Sequence, residues 1–260
     1  MKIALLVSYD GTDFRGFARQ PHARTVQGSL EEALSQLLRT PVRTVGAGRT
    51  DAGVHAAGQV VSFEAPDGAD PVWIKDRINR RLAPEIAIRA AAAVPTAFDA
   101  RHSARKRIYE YHLYRMPARD PFLDRFAVWA PDHLDVGSMR RAAKALIGEH
   151  DFSSFCRRGE GSMTRRVRSI AIRPDGDQLV LRVIADSFCH QMVRSMVGLL
   201  LDVGRGKREP ADLARALAAR DRAAAGPVAP AKGLVLVEVG YSRSPFRKYP
   251  RGSERSHRER

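Results

Sequence analysis

The chain is short of cysteine, of acidic residues and of long apolar runs, and each shortage excludes something. Two cysteines in 260 residues, Cys156 and Cys189, cannot form the framework of bridges that staples a small secreted fold. They also lack the paired CxxC spacing of a zinc site, so each is expected to fill core space. No stretch approaches the roughly 20 apolar residues of a membrane-spanning helix. The apolar run from Ile3 to Val7 is shorter than a signal-peptide core and is soon stopped by Asp10-Gly11. A cytoplasmic protein without membrane contact is the expectation. Acidic residues number 29 against 44 Lys and Arg, a net charge of +15. The simplest physical use of such an excess is attraction to a polyanion, which a neutral small-molecule substrate would not require.

What remains is the composition of a folded protein, 44% hydrophobic and 28% charged, long enough for one large domain or two modest ones. Residues 2–9 read as an apolar strand closed by Asp10-Gly11. Val26, Leu30, Leu34, Leu37 and Leu38 repeat at helical spacing behind a Thr25 cap. Strands are expected over 42–45 and 59–64. Asp70-Pro71 opens a helix carrying Trp73, Ile74, Ile78 and Leu82, and 86–94 is extended. The first half therefore spells βαββαβ.

The second half repeats this order: a Tyr-rich strand over 106–115, a helix over 135–147, strands over 165–173 and 178–184 around Asp175-Gly176, a helix over 188–203, and a strand over 233–239. An additional helix is expected over 210–220. The predicted fold class is α+β: two ferredoxin-like βαββαβ units whose mostly antiparallel sheets join, with a positively charged central cleft. The divisions are 1–100, carrying a glycine-rich loop around Asp51, and 101–241, with the boundary near 95–105. Residues 242–260 form a basic tail with no apolar period, expected to be disordered.

One segment differs from ordinary strand and helix text. Residues 46–59, GAGRTDAGVHAAGQ, join two strands with four glycines and hold one carboxylate, Asp51, beside one guanidinium, Arg49. A dinucleotide fingerprint beginning at Gly46 would need glycine at Asp51 and a helix afterwards. The GK[ST] of a P-loop is missing. The loop is also longer than a tight hairpin turn of about 2 to 5 residues. Residue pattern alone leaves two readings open, a functional loop or an Asp bonded to its own turn. His55 reads as a structural hydrogen-bonding group rather than a metal ligand, because no second ligand stands at the required spacing.

The run Gly48-Arg49-Thr50-Asp51-Ala52-Gly53-Val54-His55-Ala56 resembles the tRNA pseudouridine synthase A family. So do Tyr9-Asp10-Gly11 with Gly16 and Arg19-Gln20, Thr25-Val26-Gln27, Phe98-Asp99-Ala100-Arg101, Arg107-Ile108-Tyr109-Glu110-Tyr111, Asp151-Phe152-Ser153-Ser154-Phe155 and Phe188-Cys189-His190-Gln191-Met192-Val193-Arg194. The resemblance is ordered and extends from Lys2 to about Tyr241. Phe17 departs from it, standing where the family commonly has Trp.

The resemblance implies an isomerase that converts uridine to pseudouridine in the anticodon stem and loop of tRNA, at positions 38 to 40 of the tRNA. It also implies a homodimer that uses no organic cofactor and no metal. Carried over by position, Asp51 is the nucleophile, Tyr109 stacks on the target base, Arg194 pairs with the Asp51 carboxylate, and Arg49 reaches into the RNA. By residue pattern alone, Tyr109 alternates with Tyr111 and Leu113 on one strand face and reads as core. Arg105, Lys106, Arg107, Arg157, Arg158, Arg165, Arg166 and Arg168 are candidates to line a phosphate track. Two other functions stay open: a non-catalytic RNA-binding protein, and an Asp-dependent nucleoside glycosylase or hydrolase.

Overall fold

A computed structural model describes residues 1–157 and 161–246. The element order is β1 (Lys2–Tyr9), α1 (Val26–Leu38), β2 (Thr44–Gly46), β3 (His55–Glu64), α2 (Pro71–Leu82), β4 (Ile86–Val94), β5 (Ala104–Tyr114), β6 (Val128–Trp129), α3 (Val136–Ala143), β7 (Gly148–Asp151), β8 (Thr164–Asp175), β9 (Gln178–Ala185), α4 (Met192–Gly204), α5 (Asp212–Ala219) and β10 (Leu234–Tyr241). Ten strands form one sheet in the order β4-β1-β3-β10-β5-β9-β8-β7, with β2 on β3 and β6 on β5. The pairing is antiparallel except at β10–β3 and β5–β6. The fold is therefore mixed α+β around a large, mostly antiparallel sheet.

Local sequence accounts for the elements that frame the site. Thr25 is extended and accepts from the Gly28 N–H, capping α1, and Val26, Leu30, Ala33 and Leu34 bury one face of that helix. Asp70 caps α2 by accepting from the Val72 N–H, with Pro71 in the first turn. In α4 all but Arg194 and Asp202 of its thirteen residues are buried, as expected of a helix nearly apolar around its circumference. Across the middle of the sheet, β3 is shared. Thr44–Gly46 of β2 pairs with its far end, while Val235 and Leu236 of β10 lie parallel to His55 and Ala56 at its start. The first and last parts of the chain meet beside the loop that precedes β3.

Three expectations need correction. The helix expected over 188–203 begins at Met192, because Gln191 adopts a left-handed conformation (φ 66°) and the Arg157 N–H donates to the His190 carbonyl at 2.9 Å. Residues 188–190 are consequently free of the helix. The two cysteines do not merely fill space: Cys156 and Cys189 are joined as a disulfide, linking the segment after β7 to the one before α4. Strands β6 and β7, two and four residues long, had no readable period. The basic tail from residue 247 onward, and Arg158, lie outside the described residues.

Candidate active site

The loop between β2 and β3 is pinned along its length. The Ala47 N–H donates to the Val60 carbonyl at 2.8 Å, and Gln59 Nε2 donates to the Gly48 carbonyl at 2.7 Å. The Phe17 N–H reaches the Thr50 carbonyl at 3.1 Å, and the Tyr9 hydroxyl bonds to Thr50 Oγ1 at 2.8 Å. The Val54 N–H donates to the Asp51 backbone carbonyl at 3.1 Å, closing the bend. Gly53 sits at φ +75°, a conformation L side chains rarely adopt, which explains one of the loop's glycines.

The Asp51 carboxylate is not tied into its own bend. Its Oδ2 accepts from Arg194 Nη1 at 2.8 Å, and its Oδ1 lies 3.2 Å from His190 Nε2. The Asp51 and Arg194 side chains are 17% and 15% exposed, whereas His190 is 47% exposed. A largely buried carboxylate needs such a partner, since burial disfavours the charged form. Arg194 is itself braced: its Nε donates to the Ala229 carbonyl at 2.8 Å, and its own carbonyl accepts from the Ala229 N–H at 3.1 Å.

Tyr109 is buried, as strand alternation predicts, and its ring meets Phe188 edge-on with centroids 5.1 Å apart. Its hydroxyl faces the loop: a Cβ placed on Gly48 would lie 4.0 Å from it. Burial pushes the Tyr109 hydroxyl pKa far up, with further upward contributions from Tyr9 and Asp51, so this group stays protonated at any ordinary pH. Tyr9 is pushed up to about 12 by the same cause, against hydrogen bonds from Thr50 and Gln59. Arg49 is exposed, and no hydrogen bond or ion pair holds it among the described residues.

The structure thus gathers Asp51, Tyr109 and Arg194, from loop, strand and helix. It adds His190, whose spacing of four from Arg194 was the available signal. His55 has the structural role expected of it: buried, its Nδ1 accepts from the Gly11 N–H at 3.0 Å with Asp10 at 3.1 Å. A cavity of about 270 Å³ lies beside His55, Asp10 and Phe126 and is not lined by Asp51. No group of three or more His, Cys, Asp or Glu side chains stands in ligand geometry among the described residues.

Of the candidate phosphate-track residues, Arg166 and Arg157 are exposed, Arg168 is paired with Asp186, and Lys106 lies 3.9 Å from Glu238. Arg105 donates to Ser242 Oγ at 3.2 Å, and the partly buried Arg165 donates to the Ser162 carbonyl at 2.7 Å. Arg107 is a correction. It is buried and turned inward, so it does not line a track.

Comparison with known proteins follows the same residues. A family model described as tRNA pseudouridine synthase matches residues 5–103 and 142–242. A tRNA pseudouridine synthase A from Burkholderia mallei is 45% identical over 245 residues, covering 93% of this chain and 90% of that protein. One from Geobacillus kaustophilus is 41% identical over 244 residues, covering 92% and 94%. Among solved structures, a Cbf5–Nop10–Gar1 complex aligns at 11% identity and a TM-score of 0.34, over 77% of this chain and 54% of the other, a likeness too slight to argue from. The family match spans most of the chain, both relatives agree with it, and the matched residues include the loop that carries Asp51 and the helix that carries Arg194: the chain belongs to the tRNA pseudouridine synthase family.

Proposed function

We propose that this chain isomerises uridine to pseudouridine in tRNA and that Asp51 is the group that acts on the nucleoside. One observation carries the reading: a single carboxylate, on a pinned loop, is held by Arg194 and left partly exposed, with Tyr109 packed close by. The reaction breaks the bond from uracil N1 to ribose C1′ and forms one from C5 to C1′. The proton leaving C5 is matched by one gained at N1, and no water or leaving group is consumed or lost. One ionised carboxylate suffices for attack at C1′, for addition at C6, or for removal of a sugar proton. Most glycosidases, by contrast, work with two carboxyl groups about 5 to 9.5 Å apart.

The remaining roles follow from the same geometry. Arg194 balances the charge of Asp51 and fixes one of its oxygens. Tyr109, too basic in its ionised form to exchange a proton, offers its ring as a surface for the extruded base. Arg49, exposed next to Asp51, is free to contact the polyanion. The strand orders β4-β1-β3-β2 and β10-β5-β9-β8 support our reading of two ferredoxin-like units, 1–100 and 101–241, that join through β3 and β10. The cleft between them is where Asp51 meets Arg194. The net charge of +15 supports a polyanionic substrate in that cleft. The anticodon stem and loop as target, a homodimer and a cytoplasmic location rest on the family resemblance. Among the described residues no helix is long and apolar enough to cross a membrane.

The test is Asp51→Asn, which keeps the side chain's shape and removes its charge. Isomerisation is expected to fall by at least about a thousandfold, while circular dichroism and tRNA affinity stay near wild type. Turnover near wild type in this variant would reject the assignment.

A further inference from the structure

Arg107 lies two residues before Tyr109 on β5, with only 9% of it exposed, and is a buried cation without an anion. Its guanidinium makes five hydrogen bonds, all to backbone carbonyls: Nε and Nη2 to Ala47 at 3.3 and 2.7 Å, Nη2 to Arg101 at 2.9 Å, and Nη1 to Asp186 and Ala104 at 2.8 and 3.4 Å. Among the described residues no carboxylate pairs with it, and the Asp186 side chain is taken by Arg168. Burial lowers its pKa, but a guanidinium does not lose its proton in a protein. Burying an unpaired charge costs several kcal/mol, and packed apolar residues often replace buried ions without loss. Sheet stability alone therefore gives no reason for arginine here.

What the planar fork does, and no apolar side chain could, is hold separate backbone segments at fixed spacing. Those segments are the roots of the site. Ala47 opens the loop that carries Asp51. Asp186 follows β9 and leads to Phe188, which packs on Tyr109, and to His190, which touches Asp51. Arg101 and Ala104 lie where the chain enters β5. One guanidinium thus ties the loop bearing the carboxylate to the strand and connector bearing its neighbours.

We propose that Arg107 is a positioning residue for the isomerisation, its fork setting the distance between Asp51 on one side and Tyr109 and His190 on the other. This rests on the assignment of Asp51 given above. The test compares Arg107→Lys, which keeps the charge and loses the fork, and Arg107→Gln, which keeps a donor and loses the charge, with wild type. Steady-state kinetics on a tRNA transcript are combined with hydrogen–deuterium exchange. A displacement of about 1 Å at a reacting centre costs on the order of 100-fold in rate, so kcat is expected to fall 10- to 100-fold in Arg107→Lys, with KM for tRNA changing less than about twofold. Faster exchange is expected in residues 47–54 and 186–191, with α1 unchanged.

Wild-type kcat in Arg107→Lys would overturn the proposal. So would a raised KM at unchanged kcat, which would make Arg107 an RNA attractor. Faster exchange spread through α1 and the sheet, or failure of both variants to fold, would make it merely structural and overturn it as well. Asp51→Asn run alongside keeps the two claims separate: an active Asp51→Asn rejects the nucleophile, whereas the Arg107 comparison reports on the clamp.

Discussion

Asp51 has a nitrogen partner at each carboxylate oxygen, and the two differ in freedom. Arg194 is mostly buried and braced by Ala229, while His190 is half exposed on a short connector. Such single-residue differences were only partly legible in the sequence. The pairing of Asp51 with Arg194 was implied by the family resemblance, and it agrees with the need of a buried carboxylate for a cation. His190 was passed over because a lone histidine with no second ligand at metal spacing is a weak signal by itself. Arg107 was grouped with solvated cations because composition cannot tell an inward arginine from an outward one. His55 was read as structural, and its surroundings yield a prediction. Burial lowers its pKa, against the upward pull of Asp10. The unfolded chain then binds a proton that the folded chain resists, so this contribution to stability is present above the ordinary histidine pKa near 6.5 and lost as pH falls below it. The melting temperature of wild type is expected to drop between about pH 7 and pH 5 more steeply than that of His55→Asn, whose amide oxygen can take the place of Nδ1. Parallel curves for the two proteins would show that His55 has no part in the acid sensitivity.

At the scale of elements, α4 depends on a close approach that its sequence hints at only through a glycine. A Cβ on Gly198 would stand 2.0 Å from the Pro227 carbonyl oxygen. That contact seats the segment 227–230, whose Ala229 brackets Arg194 and whose Pro230 carbonyl accepts from the Tyr111 hydroxyl at 2.8 Å. Gly198→Ala gains about 1 kcal/mol of helix propensity and loses about 1 to 3 kcal/mol or more to overpacking against backbone that cannot rotate away. The net expectation is a lower melting temperature and reduced kcat, read by calorimetry and turnover; a more stable, fully active variant would mean that the segment yields freely. The helices α1 and α2 were legible because cap, proline and apolar spacing agree. β6 and β7 were not, being too short to carry a period and held by their neighbours in the sheet. The glycine-rich loop stood out from ordinary strand and helix text, but its residue pattern alone left a functional loop and an Asp bonded to its own turn both open. Its hydrogen bonds to Tyr9, Phe17 and Gln59 come from β1, the β1–α1 connection and β3, and nothing local in its sequence announces how firmly it is held.

For the molecule as a whole, the two halves share one sheet, and the carboxylate from the first meets the guanidinium from the second. The βαββαβ order of the first half could be read from periodicity, whereas the second half adds β6 and β7 to the order expected there. The joining of β10 to β3 is a long-range pairing with no local signal. The basic excess fits a substrate bound mainly through its phosphates, and in the function proposed here the molecule as a whole brings one uridine to one carboxylate. That claim is tested most directly by incubating the full chain with a uridine-containing tRNA transcript and mapping the modified nucleosides by mass spectrometry and chemical sequencing. The account predicts pseudouridine in the anticodon arm, at one or more of positions 38 to 40, with the mass of the RNA unchanged. Release of free uracil, or a bound but unaltered tRNA, would contradict it.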